Sequence, residues 1–198
     1  MNKGRIEAFS DGVIAIIITI MVLELKIPHE KSELKDLLSL WPVFLSYVLS
    51  FIYVGIYWNN HHHMFTVVNK VNGAILWANM HLLFWLSMIP FATGWMGENH
   101  FAPATMALYG FVMFMNAIAY SILSNLLIKH HGSDSLLSRA MGKGLKGKVS
   151  VACYITAIPS AFINVWISGG LFVLVALLWL IPDKRIENII LKENQHSS

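Results

Sequence analysis

The sequence predicts an all-α membrane protein with six transmembrane helices, on the strength of its composition and the spacing of its apolar runs. Apolar residues make up 56% of the 198 residues and charged residues 13%, whereas soluble domains carry nearer a quarter charged. Seven Trp, ten Met and a mean hydropathy of +0.59 fit a surface that meets lipid. A spanning helix needs about 20 mostly apolar residues. Such runs occur at 5–25, 41–60, 73–96, 103–128, 148–167 and 169–182. A chain of this length reads as one domain, here a transmembrane unit over 1–182 followed by a tail over 183–198.

Each run has physical boundaries. The first opens on a positive N-terminus, as a signal peptide would, but Phe9-Ser10-Asp11-Gly12 interrupts it. Val22-Leu23-Glu24-Leu25 offers no small-residue cleavage site, so the run reads as a retained span. Pro42 and Pro103 mark helix starts, where a missing N–H costs nothing. Asn72-Gly73 separates the second and third spans, and Gly169-Gly170 reads as a tight break between the fifth and sixth. Pro90 and Pro159 predict kinks, which are tolerated in lipid. The charged, leucine-dotted segment 29–40 predicts a short interfacial helix or loop. Residues 129–148, with four glycines, predict a polar linker. Ile186, Ile189 and Ile190 share one helical face, which predicts a short amphipathic helix in the tail.

Charge placement gives orientation. One side collects Lys3, Arg5, Lys70, Lys129, Arg139, Lys143, Lys146, Lys148, Lys184, Arg185 and Lys192. The other holds only Lys26, Lys31 and Lys35, beside Glu30, Glu33 and Asp36. Both termini should therefore face the cytoplasm of a multi-pass cell-membrane protein. The net charge of +3 lies in short loops, which argues against nucleic acid as the partner. Cys153 is the single cysteine, which excludes an intramolecular disulfide and a cysteine-based metal site. No Ser-His-Asp or paired-carboxylate pattern is readable and no nucleotide-binding glycine motif occurs, so an enzyme is not expected and neither is a cofactor.

Histidines offer the main alternative chemistry. His61, His62 and His63 point in different directions on a helix and have no nearby carboxylate in sequence, so they make a poor metal site. They read as a helix end with one ring turned inward. Asn79 and His81 lie well inside an apolar span and predict interhelical hydrogen bonds, with His81 expected to meet Ser10 or Asp11. Asn116 and Asn164 are likewise expected between helices, and Trp41, Trp58 and Trp95 read as interfacial anchors.

The first span carries the densest information. Arg5, Glu7, Ser10, Asp11 and Thr19 all sit on it, and ionisable groups within a membrane are costly, by about 2.5–3.5 kcal/mol each at its centre. Asp11 lies about 9 Å deeper than Arg5 along the axis, at a spacing that puts the two on different faces. Each needs its main partner on another helix or subunit. At about 100° per residue, Gly12, Ile16, Thr19, Ile20 and Leu23 share one arc, Glu24 lies at its edge and Asp11 well away. That arc suits ordinary helix packing or a pore lining, and periodicity does not separate them. Thr19 could equally bond back to its own helix.

The segment from Arg5 to Val13 (Arg-Ile-Glu-Ala-Phe-Ser-Asp-Gly-Val), followed by Ala15-Ile16, Thr19 and Leu23-Glu24, resembles the signature of the transmembrane protein 175 family of lysosomal potassium channels and their bacterial homologues. Similarity continues in Tyr57-Trp58-Asn59-Asn60-His61-His62-His63-Met64-Phe65, in Trp77-Ala78-Asn79-Met80-His81-Leu82-Leu83-Phe84 and in Ile89-Pro90-Phe91-Ala92-Thr93. It is strong in the first half of the chain and only topological in the second.

The resemblance implies a potassium-permeable channel whose pore is lined by the first helix of every subunit. Ile16, Ile20 and Leu23 would form the constriction and gate, and Thr19 would contribute to ion selectivity. Arg5, Phe9, Ser10 and Asp11, with Asn79 and His81, would form the signature network that ties the helix to its neighbours. One signature per chain implies a homotetramer. No Thr-Val-Gly-Tyr-Gly filter occurs, so ions would pass side-chain rings and selectivity for potassium over other monovalent cations should be weak. Apart from the resemblance, Glu24 with Glu30, Glu33 and Asp36 reads equally as an outer mouth attractive to cations or as a solvated loop. The rival reading is a proton-coupled transporter or proton pathway using Asp11 and His81.

Overall fold

A computed structural model describes residues 3–27, 33–68, 70–132, 135, 137, 138 and 144–180. The described chain is helical: α1 (Lys3–Leu23), α2 (Leu34–Leu38), α3 (Trp41–Thr66), α4 (Gly73–Ser87), α5 (Ile89–Glu98), α6 (Pro103–His131), α7 (Leu145–Ser160) and α8 (Val165–Leu180). Among the described residues, four stretches are long and apolar enough to cross a bilayer: α1, α3, the joined α4–α5 over Gly73–Glu98, and α6. The helices α7 and α8 have 16 residues each. At 1.5 Å per residue they extend about 24 Å. They pack on each other and on α6 and complete a six-helix unit. The amphipathic tail helix expected beyond 182 lies outside the described residues, as do 133, 134, 136 and 139–143 of the expected linker. The linker is shorter than expected, because 129–131 continue α6 and 145–148 already belong to α7.

Local chemistry sets the element ends. Pro42 and Pro103 occupy the first turns of α3 and α6. Asn72 caps α4 by accepting the Ile75 N–H at 3.0 Å. The third span is broken rather than merely kinked. Pro90 has no N–H for the Leu86 carbonyl, and the Met88 N–H turns back to Trp85 O at 3.2 Å. From α6, Asn116 Nδ2 donates to that same Trp85 carbonyl at 3.1 Å, the interhelical contact expected of it.

The break between the last two spans is not at Gly169-Gly170, which lie inside α8. It falls at 161–164. Pro159 withholds one N–H near the end of α7. Asn164 Oδ1 then accepts the Trp166 N–H at 2.9 Å and starts the next helix. Asn164 is therefore a local cap, not an interhelical contact. Two glycines within an apolar run do not suffice to end a helix in a membrane, where the backbone has no water to turn to.

The core lies between α3, α5, α6, α7 and α8. Tyr53 donates its hydroxyl to Phe172 O at 2.6 Å, and Tyr109 meets the Phe172 ring edge-on at 5.2 Å. The hydroxyls of Ser50, Thr93 and Tyr109 join α3, α5 and α6 through links of 2.7 and 3.0 Å. By contrast, α1 lies along α3, α4 and α5 with half its surface uncovered.

Candidate functional site on the first helix

Two stripes run along α1. Ile6, Ser10, Ile14, Ile17 and Met21 are buried against the rest of the chain. On the opposite side Gly12, Ala15, Ile16, Thr19, Ile20 and Leu23 are exposed, with Ile16 at 58% and Leu23 at 77%. The arc read from the sequence thus coincides with the face that this subunit leaves uncovered. At 1.5 Å per residue, Ile16 to Leu23 covers about 10 Å of axis.

The Thr19 hydroxyl donates to the Ile16 carbonyl at 2.8 Å. Because its proton is directed along the helix, its oxygen lone pairs remain available on the exposed face. The back-bond and an outward-facing acceptor are compatible here.

The buried stripe carries one polar connection. Asn79 Nδ2 donates to Ser10 Oγ at 3.0 Å, and Asn79 Oδ1 lies 2.8 Å from His61 Nε2. An amide oxygen only accepts, so His61 Nε2 carries the proton. His61 is the inward-turned ring of the three histidines, 1% exposed and stacked on Phe65 at 4.6 Å. Nearer the helix flank, Asp11 Oδ1 accepts the indole N–H of Trp58 at 3.0 Å. Trp58, expected as an interfacial anchor, is thus the partner that Asp11 needed on another helix. Lys3 adds a clamp, donating to Phe65 O at 3.1 Å and Thr66 O at 3.2 Å at the end of α3.

Other site residues lie elsewhere. His81 does not meet Ser10 or Asp11: its Nε2 accepts the Trp85 indole N–H at 3.0 Å, one turn along its own helix. Asn79 is buried and His81 only half-buried, so a difference of two residues places them on different faces. Arg5 and Phe9 are exposed on the subunit surface.

Glu24 is half-buried, and its carboxylate lies against α5, where a Cβ on Gly94 would come within 3.3 Å of Oε2. Beside it Lys26 forms an ion pair with Glu98. That hydrogen bond and charge, aided by the Glu24 charge, hold the Lys26 ammonium above the usual lysine range. A cavity of about 240 Å³ lies here, lined in part by Glu24, Lys26, Val43, Gly97, Glu98 and His100. Among the described residues no group of three or more His, Cys, Asp or Glu could hold a metal.

Sequence reasoning missed the Trp58–Asp11 bond, the Lys3 clamp and the Glu24–Gly94 contact. The spacing of Gly94 and Gly97 was a signal for the last of these, since small residues three or four apart let helices approach closely.

Residues 5–90 match the family described as endosomal/lysosomal potassium channel TMEM175. A potassium channel of Chryseobacterium sp. (strain P1-3) is 57% identical over 194 residues, covering 98% of this chain and 100% of that one. The crystal structure of a lysosomal potassium-selective channel TMEM175 homolog from Chamaesiphon minutus superposes with a TM-score of 0.79. It is 34% identical and covers 90% of this chain and 96% of that one. A human endosomal/lysosomal proton channel, TMEM175, is 35% identical over 103 residues, covering 46% of this chain and 20% of that one. Family and relatives are ion channels, which sets the enzyme reading aside. This multi-pass membrane chain belongs to the TMEM175 family.

Proposed function

We propose that the chain is one subunit of a homotetrameric, potassium-permeable and weakly selective cation channel of the cell membrane, with both termini cytoplasmic. Four first helices line the pore. Ile16, Ile20 and Leu23 form successive apolar rings that gate by dewetting, and Thr19 supplies a layer of hydroxyl oxygens between them. Glu24, one residue past the Leu23 ring, adds negative potential at the outer mouth while its side chain rests on α5. The buried chain from Ser10 through Asn79 to His61, with the Asp11–Trp58 bond, holds the helix against its subunit. Arg5 and Phe9, exposed on the single subunit, belong to the same network across the subunit boundary.

The observation that carries this reading is the uncovered stripe. It combines branched apolar side chains with Gly12 and a threonine whose lone pairs face outward. The names of the Chryseobacterium and Chamaesiphon relatives support potassium as the ion. Weak selectivity follows from the chemistry, since potassium sheds water more readily than sodium at an apolar neck but no carbonyl cage replaces the lost shell.

The test is recording from purified protein in planar bilayers under a potassium/sodium gradient. The reading expects unitary currents that reverse on the potassium side of zero, and altered conductance in Ile16→Ala and Leu23→Ala. A reversal potential indifferent to potassium, or unchanged currents in both variants, would overturn it. The proton-pathway reading gains from the name of the human relative. It loses directness because His81 is bonded to Trp85 rather than to Asp11.

A further inference from the structure

The two halves of the broken third span grip the pore-facing helix at opposite ends. The half α4 holds the N-terminal part through Asn79 and Ser10. The half α5 holds the C-terminal end: Gly94 makes room for the Glu24 carboxylate, and Glu98 pairs with Lys26. Between the grips lies the Met88–Pro90 interruption, where the Leu86 carbonyl has no N–H four residues on. Asn116 braces that elbow from α6. The outer arm has a firm base, because a Cβ on Gly97 would fall 2.7 Å from Val43 Cα, so α5 is seated backbone-to-backbone on α3.

The end of α1 is where such a grip matters most. Just past Leu23 the helix tightens, with Glu24 N–H bonding Met21 O at 3.3 Å and Leu25 N–H bonding Val22 O at 3.1 Å. Leu23 therefore sits in a last turn that its own helix secures poorly. Buried Met21 holds that turn from one side, and what holds Glu24 and Lys26 bears on it from the other.

We propose that α5 is a positioning arm for the Leu23 ring: the Lys26–Glu98 pair and the Glu24–Gly94 contact fix how far Leu23 stands from the pore axis. The inference rests on the pore reading above. An exposed ion pair is weak alone, but four copies biasing one concerted opening compound, so a twofold bias per subunit becomes about sixteenfold.

The experiment compares wild type, Lys26→Glu, Glu98→Lys and the double swap by single-channel recording, with Leu23→Ala as control and tetramer yield by size exclusion. Lys26→Gln and Glu98→Gln serve where reversal prevents assembly. Positioning predicts that both single variants, which break all four pairs at once, shift the open–closed equilibrium in the same direction by about sixteenfold for a twofold bias per subunit, and that the swap restores it. A surface-charge effect alone would move them in opposite directions, because one variant adds negative and the other positive charge at the same place; that result overturns the proposal. Unchanged singles alongside an altered Leu23→Ala overturn the arm and leave the pore standing. An unaltered Leu23→Ala removes both.

Discussion

The two faces of α1 share one backbone and nearly the same composition, yet only one is accounted for by the chain it belongs to. Ile14, Ile17 and Met21 are almost wholly covered, and Ser10 finds its partner in Asn79. Ile16, Ile20 and Leu23, a residue or two away in each case, are exposed. The buried face is explained by folding and the other face by what lies beyond the fold. Substitutions on the two should therefore fail differently.

The largest effect is expected on the buried face. Ile14→Ala or Ile17→Ala should cost about 2–5 kcal/mol through lost contacts and a residual cavity. It should be read as a lower thermal transition of the detergent-solubilised protein with ion preference unchanged in whatever survives. Leu23→Ala removes the same number of carbons from a position with little packing in the subunit, and should leave that transition nearly in place while changing conductance. If the Leu23 variant unfolds the protein and the Ile17 variant alters ion preference, the division between the faces is wrong. Asn79→Ala comes next: it strands His61 Nε2–H and Ser10 inside the fold, for about 1–2 kcal/mol. Asn79→Asp, which keeps the acceptor toward His61, should recover part of that loss in the same melt.

Much of this was legible beforehand, for physical reasons that can be named. Apolar run length is nearly sufficient for a span, because lipid leaves the backbone few other options. That is why the first four spans lie where expected, while the last boundary moved from Gly169-Gly170 to the Pro159–Asn164 region. Glycine weakens a helix only where water or a turn competes for its backbone. The grouping of Gly12, Ile16, Thr19, Ile20 and Leu23 on one arc was also readable, since 100° per residue is geometry, but its exposure was not, because periodicity fits ordinary packing as well. Partner choice was not. Nothing local to Trp58 says that its indole N–H reaches an acid 47 residues away, and nothing local to His81 says that Trp85, one turn on, satisfies it first. The pairing of Lys26 with Glu98 is equally long-range, and charge counting had assigned Lys26 only to a side of the membrane.

A smaller effect sharpens the uncovered face. Thr19→Val keeps the shape and branching but removes the oxygen, so packing and assembly should be almost unchanged. The reversal potential under a potassium/sodium gradient should move toward zero, with relative permeability falling by about twofold and conductance changing less. Thr19→Ser should retain the preference, because it keeps the oxygen and the back-bond to Ile16 O. Equal behaviour of the valine and serine variants would remove Thr19 from the ion path and leave the stripe purely apolar.

The smallest effect is expected at His81, and it decides between the two functional readings. Its hydrogen bond to Trp85 spans one helical turn, and such i,i+4 pairs contribute only about 0.2–0.5 kcal/mol. His81→Leu should therefore leave stability, tetramer yield and potassium current close to wild type. A proton relay through Asp11 and His81 requires the opposite. Removing the titratable ring would interrupt the relay and abolish pH-driven flux, measured with an interior dye in proteoliposomes. Asp11→Asn complements it: the amide oxygen still accepts from Trp58 while the ionisable proton site is gone. A channel should conduct potassium in both variants, since neither touches the stripe from Ile16 to Leu23. If both variants lose flux while Leu23→Ala keeps it, transport runs along the flank of α1 and the uncovered face is merely its lipid-facing side.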